Sequence, residues 1–201
     1  MAEYRNGGGK YDDGMPPETR RVVVNQLLEE QNYLCAYCCA SINSKTMKIE
    51  HWKTRTNHPD QDLVYTNLLA VCYGDRFCST ELHCDRSREE KTELTITPLR
   101  KDQIDKVFFE KGTGRINSSD PELAFDLITP KRLNLNCNLL TKQRSTVLAR
   151  FRNALESKRK RELRKNNNYS PNFTRLLVNQ VASREGFNDI IIEYLRKKVQ
   201  Q

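Results

Sequence analysis

Cys35-Ala-Tyr-Cys38 places two thiols at the C-x2-C spacing. Thiols so spaced bind one metal ion, usually zinc, and a second pair must complete the tetrahedron. The candidates downstream are Cys72, Cys78, His83 and Cys84. Cys72 follows an apolar stretch and Cys84 precedes a charged one, so the expected set is Cys35, Cys38, Cys72 and Cys84. Eleven residues separate Cys72 from Cys84, which leaves Cys78 or His83 as alternative members. The bland reading is a set of buried apolar cysteines with no metal. Cys39 and Cys137 have no partner at useful spacing and read as core residues.

A second stretch pairs an acid with one of only three histidines: Glu50-His51. A carboxylate is a hard-cation ligand suited to Mg2+ or Mn2+. A neutral imidazole beside it can take a proton from water. Metal and base together suit phosphodiester cleavage. The bland reading is a structural histidine capped by its neighbours.

Both groups need positioning elements. Residues 17–33 read as a helix with Pro17 in its first turn, delivering the chain to Cys35. Residues 39–50 read as a β-hairpin around Asn43-Ser44-Lys45, with Glu50-His51 at the end of its second strand. There both side chains can approach one site, although strand neighbours ordinarily point apart. Residues 62–72 read as a short helix, 73–84 as a loop, 87–91 as helical and 94–99 as a strand. Residues 105–117 read as a hairpin with Gly112-Thr-Gly114 at its tip. Helices are expected over 120–134, 136–165, 170–184 and 187–199, with the clearest break at 166–172.

The chain of 201 residues carries 34 Lys and Arg against 26 Asp and Glu, a net charge of +8. This balance favours polyanionic partners. Seven cysteines, an odd number, argue against a disulfide framework. No apolar run approaches the ~20 residues that span a bilayer, and the opening residues lack the apolar stretch of a signal peptide. A soluble, cytoplasmic protein with no membrane contact is expected.

The ordered run "CAYC…IEH…YTNLL…C…HCD…K" resembles the HNH (ββα-metal) nucleases in a zinc-supported version. "EEQNYLCAYC", "IEHW", "NLLAVC", "HCD", "TITPL" and "LNLN…LLTKQR" narrow the likeness to retron- and Septu-associated nucleases of the PtuB type, over roughly residues 25–145. The resemblance implies His51 as general base, Glu50 and Asp85 as ligands of a catalytic Mg2+ or Mn2+, and Asn67 as brace of the histidine-bearing loop. Lys91 matches the basic residue that often follows. Asp85 stands where His or Asn is usual, and Thr54 where a Pro often follows; His83 is the alternative second ligand. The implied fold is α+β: a zinc-supported ββα-metal core, an N-terminal helix and a mostly helical C-terminal region. The implied partners are a PtuA-type ATPase and a retron reverse transcriptase with its RNA–DNA hybrid.

The expected organisation is a lead-in over 1–16, a nuclease core over 17–100, and a hairpin with helices over 101–201 for partner or nucleic-acid contact. Arg55, Arg76, Arg86 and Arg88 lie near the expected site and suit forked phosphate contacts; Arg86 and Arg88 are expected to share a helix with Asp85. The basic stretch 149–165 reads as a phosphate-contacting helix, a solvated face paired to Glu156 and Glu162, or a dock for an acidic partner. The expected activity is endonucleolytic, with DNA as favoured substrate and RNA, including tRNA, as the other. The competing reading is a non-catalytic zinc ribbon that binds nucleic acid or a partner. Such a ribbon needs the cysteines but has no use for Glu50-His51.

Overall fold

The computed structural model describes residues 11, 15–74, 81–165, 170–183 and 185–200. The fold is α+β, with six helices and two small antiparallel sheets among the described residues.

Helix α1 (Pro17–Glu30) opens with Pro17 and Glu18 in its first turn, which suit the unpaired N–H groups and positive dipole end there. Val23, Val24, Leu27 and Leu28 recur at helical spacing and are its buried face. Asn32 and Tyr33 then take left-handed φ angles of 52° and 59°, which end the helix and turn the chain toward the knuckle.

Strands β1 (Met47–His51) and β2 (Leu68–Cys72) pair antiparallel, with Glu50 opposite Leu69 and His51 opposite Leu68. This corrects the expected hairpin over 39–50. Ser41 forms an isolated bridge with Leu34 instead of a strand, and the true partner of β1 comes from the segment read as a helix over 62–72. That segment forms a 3-10 turn (Tyr65–Asn67) followed by β2. β2 shows no polar alternation because both its faces are covered: Leu68, Leu69, Ala70 and Val71 are all buried.

The outward side of β2 is occupied by three different acceptors. Leu68 N–H donates to the Tyr65 carbonyl, Ala70 N–H to Gln31 Oε1 (2.8 Å), and Cys72 N–H to Cys35 Sγ (3.3 Å). The Gln31 amide also donates to the Ala70 carbonyl at 2.7 Å.

The strand expected over 94–99 does not form. Its amides go to side chains instead: Thr95 and Ile96 N–H donate to Asp126 Oδ2, and Thr97 N–H to Gln103 Oε1. Nor is there a helix over 87–91; a 3-10 turn (Cys84–Ser87) ends where Arg88 becomes extended. The ββα element of the expected core therefore has only this turn in the place of its helix.

Further along lie α2 (Lys101–Ile104) and the hairpin of β3 (Val107–Phe109) with β4 (Ile116–Ser118). Then come α3 (Pro121–Ile128), α4 (Asn138–Leu163), α5 (Phe173–Val181) and α6 (Asn188–Val199). Asp120 caps α3 by accepting from Glu122 N–H. α3 ends well short of residue 134, because Leu133 and Leu135 N–H turn back onto the Asp126 and Leu127 carbonyls. One hydrophobic cluster runs from Val23 and Val71 to Leu140 and Leu195, continuous across residue 100. Phe187 N–H donates to the Cys39 carbonyl and Cys84 N–H to the Leu133 carbonyl, tying the C-terminal half to the knuckle.

Candidate metal centre and acid–histidine site

The sulfurs of Cys35, Cys38, Cys72 and Cys84 all lie within 4.8 Å of one another. Cys35–Cys84 is 3.9 Å, Cys38–Cys72 3.8 Å and Cys72–Cys84 3.8 Å. Four sulfurs about 2.3 Å from a tetrahedral zinc stand roughly 3.8 Å apart. The donors thus fit zinc in type, number and spacing.

Three segments deliver them. The turn after Cys35 is closed by Cys39 N–H to the Cys35 carbonyl and Cys35 N–H to the Ala40 carbonyl, with Ala36 N–H donating to Ala70. Cys72 arrives at the end of β2. Cys84 arrives through a loop that crosses Gly74, whose φ is +67° and where a Cβ would sit 2.2 Å from the His83 carbonyl oxygen. Only glycine fits that crossing. Hydrogen bonds from Cys35, Cys38 and Cys84 pull Cys72 far below the usual thiol range, whereas burial pushes Cys84 up. A bound cation would draw protons from the rest.

His83 is buried outside this foursome, with Nδ1 3.2 Å from Cys84 Sγ. Cys39 and Cys137 also lie outside it. Cys78 and Arg76 fall outside the described residues.

Beside the cluster, Glu50, His51 and Asp85 line one cavity of about 220 Å3 together with Arg55, Arg88 and Thr54. β1 ends at His51, so the alternation of strand side chains no longer separates it from Glu50. His51 Nε2 lies 2.9 Å from the Asp62 carbonyl oxygen. A carbonyl only accepts, so Nε2 carries the hydrogen and Nδ1 is the basic nitrogen of the neutral ring. Tyr11 meets the ring edge-on at 4.5 Å and donates its backbone N–H to Asp62 Oδ2, while Arg55 lies over the Tyr11 ring at 5.0 Å.

Asn67 holds the loop that carries this geometry. Its Oδ1 accepts from Lys53 N–H at 2.7 Å, and its Nδ2 donates to the Lys53 and Gln61 carbonyls, both at 3.1 Å. It bonds to backbone on the rim and takes no part in lining the cavity.

Both carboxylates have cationic neighbours. Asp85 is ion-paired with Lys48. Glu50 Oε1 accepts from Arg88 Nη1 at 2.9 Å. Burial pushes the Glu50 carboxyl above its ordinary range, against the opposing pull of Arg88 and Lys48.

Arg88, expected to grip substrate, is an anchoring group. Its side chain is 3% exposed and also donates to the His51, Trp52 and Thr92 carbonyls. Arg86 and Lys91 are exposed and do not line the cavity; the Lys91 carbonyl accepts from Asn57. Of the expected substrate-binding cations, the structure thus brings Arg55 to the cavity as a half-buried group and Arg88 as a buried one.

Lys48 was missed in the sequence. Its signal was available: two residues before Glu50 on one strand puts it on the same face. Tyr37 was missed too. Its hydroxyl is buried without a hydrogen-bond partner among the described residues, and burial first, then the charge of Glu50, pushes it well above the usual range. No described helix is long and apolar enough to cross a membrane. Comparison with protein-family models finds no match, and comparison with curated proteins finds none.

Proposed function

We propose that the chain is a metal-dependent HNH-type endonuclease that hydrolyses nucleic-acid phosphodiesters, with DNA the favoured substrate and RNA, including tRNA, the other. The observation that carries this reading is the convergence of Glu50, His51 and Asp85 on one cavity, with the His51 ring held through Nε2. A buried structural histidine needs no second ionisable partner at an open cavity. The four cysteines would hold a structural zinc that fixes the ends of β1 and β2.

Glu50 and Asp85 would hold Mg2+ or Mn2+. Two carboxylates at one cavity are hard oxygen donors that fit such an ion, and the cationic neighbours Arg88 and Lys48 mark where positive charge is favoured. When bound, the ion would neutralise charge on the phosphate and the leaving oxygen. His51 Nδ1 takes a proton from water; the water oxygen bonds to phosphorus, the P–O bond to the leaving sugar oxygen breaks, and that oxygen is protonated by solvent. Arg55 is the cation placed to meet a phosphate oxygen. Asn67 acts on position alone.

The ordered motifs further support an effector of an anti-phage defence system that works with a PtuA-type ATPase and a retron reverse transcriptase carrying its RNA–DNA hybrid. The second reading, a non-catalytic zinc ribbon, is favoured by one feature: both site carboxylates are already ion-paired. Co-expression with neighbouring genes under the inducing condition separates the two. Nucleic-acid damage that disappears in His51→Ala supports the nuclease, and the degraded species names the substrate. Equal damage with both versions places the nuclease elsewhere and leaves the ribbon.

A further inference from the structure

α4 runs for 26 residues, but its buried side chains, Leu140, Arg144 and Leu148, all lie in its first half. From Ala149 on, only Phe151, Leu155 and Glu162 are half-buried and the remaining residues to Lys165 are exposed. A helix with no buried face is marginal in water. This outer half also carries Arg150, Arg152, Lys158, Arg159, Lys160, Arg161, Arg164 and Lys165 against Glu156 and Glu162, a net charge of 8 − 2 = +6.

The cations are not evenly spread. At 3.6 residues per turn, Arg150, Lys158, Arg161, Arg164 and Lys165 fall within an arc of about 120°, and neither glutamate falls inside it. Arg164 keeps helical backbone angles and, with Lys165, continues the last turn. Lys158–Arg161 and Arg161–Lys165 are like-charge neighbours at i,i+3 and i,i+4, which weaken a helix on their own. Glu156 reaches Arg159 and Lys160 at 3.7 and 4.0 Å, and Glu162 reaches Arg161 at 3.7 Å. Such exposed pairs contribute little. The five-cation face carries no glutamate of its own.

We propose that this face of α4 is a docking surface for the phosphate backbone of duplex DNA, separate from the acid–histidine cavity. From Arg150 to Lys165 it spans about 22 Å, the axial rise of roughly six base pairs of B-form DNA. Preferring nucleic acid to an acidic protein rests on the endonuclease reading. Preferring duplex DNA rests on shape: a helix about 10–12 Å across enters the major groove of B-form DNA, roughly 12 Å wide, whereas the major groove of A-form RNA is too narrow.

The test uses the full zinc-loaded chain with no added Mg2+ or Mn2+, and anisotropy of a fluorescein-labelled 20-base-pair DNA duplex across a KCl series. The variant combining Arg150→Gln, Lys158→Gln, Arg161→Gln, Arg164→Gln and Lys165→Gln should bind about 10- to 100-fold more weakly. Its log–log salt slope should be shallower by about four. Glu156→Gln with Glu162→Gln should tighten binding a few-fold, which guards against loss by misfolding. Unchanged affinity and slope in the five-site variant overturn the proposal, and equal wild-type affinity for an RNA duplex of the same sequence overturns the DNA assignment. Cleavage is scored separately with Mn2+. Binding that depends on α4 without cleavage in any variant sinks the endonuclease reading and leaves the docking surface standing.

Discussion

The cysteine cluster and the acid–histidine cavity lie side by side and are built in opposite ways. The cluster gathers four identical donors at one set of spacings, most of them buried. The cavity gathers unlike groups, each held by a different partner: Arg88 on Glu50, Lys48 on Asp85, the Asp62 carbonyl on His51. A closed, saturated site of the first kind holds a fold together. A half-open site with unlike charges is suited to exchanging protons and ions with solvent.

The comparison breaks or sharpens under substitution. The largest effect is expected at the cluster. Cys35→Ser or Cys84→Ser should lose most bound zinc and the cooperative melt, since zinc binding at such sites is worth on the order of 10 kcal/mol. Full zinc content and an unchanged melting curve would remove the structural role. Next is Arg88→Ala, which leaves Glu50 buried without its cation and should lower stability in urea by about 3–5 kcal/mol. A loss below about 1 kcal/mol, with weakened nucleic-acid binding instead, would return Arg88 to the substrate.

The third tests whether a buried carboxylate behaves alike on the cluster's side. Asp189, in the first turn of α6, is pushed up to about 6 by burial, which the Arg144 guanidinium only partly offsets. In the unfolded chain it titrates near the ordinary value of about 3.9. Between these values the folded chain keeps a proton the unfolded chain has released. Its contribution is therefore full below about pH 4 and lost as pH rises through about 6, a change of roughly 3 kcal/mol. Asp189→Asn should flatten that part of the pH–stability curve; a curve identical to the wild type rejects the assignment. The smallest effect is at Lys48. Lys48→Gln frees Asp85 and should raise Mn2+ affinity, measured by calorimetry, by several-fold, about 1 kcal/mol. Weaker Mn2+ binding would show that Lys48 supports the site.

The cluster was legible because a C-x2-C turn is local and the residues flanking the distant cysteines change character there. The strand pair that carries Glu50 was only half legible. β1 alternates as a half-buried strand should, but its partner β2 is covered on both faces, so Leu68–Val71 reads equally as buried helix. The pairing joins positions about twenty apart, across a loop that Asn67 bonds to backbone at both Lys53 and Gln61. The anchoring bonds of Arg88 were hidden for a related reason: a cation's partners are invisible until the backbone carbonyls of His51, Trp52 and Thr92 converge on it. At 94–99 an extended run had its amides claimed by Asp126 and Gln103, both of which look like surface residues in sequence.

The three acceptors on the outer side of β2 have one more consequence. A two-stranded ribbon ordinarily offers its free edge as a template on which another chain can add a strand. Here the amides of Leu68, Ala70 and Cys72 are claimed by a turn carbonyl, a glutamine side chain and a sulfur. That edge is closed to β-augmentation, and edge-to-edge association of copies through β2 is blocked. A strand that adds to this protein must therefore do so elsewhere than along β2, and Gln31→Ala would reopen the β2 edge at its centre.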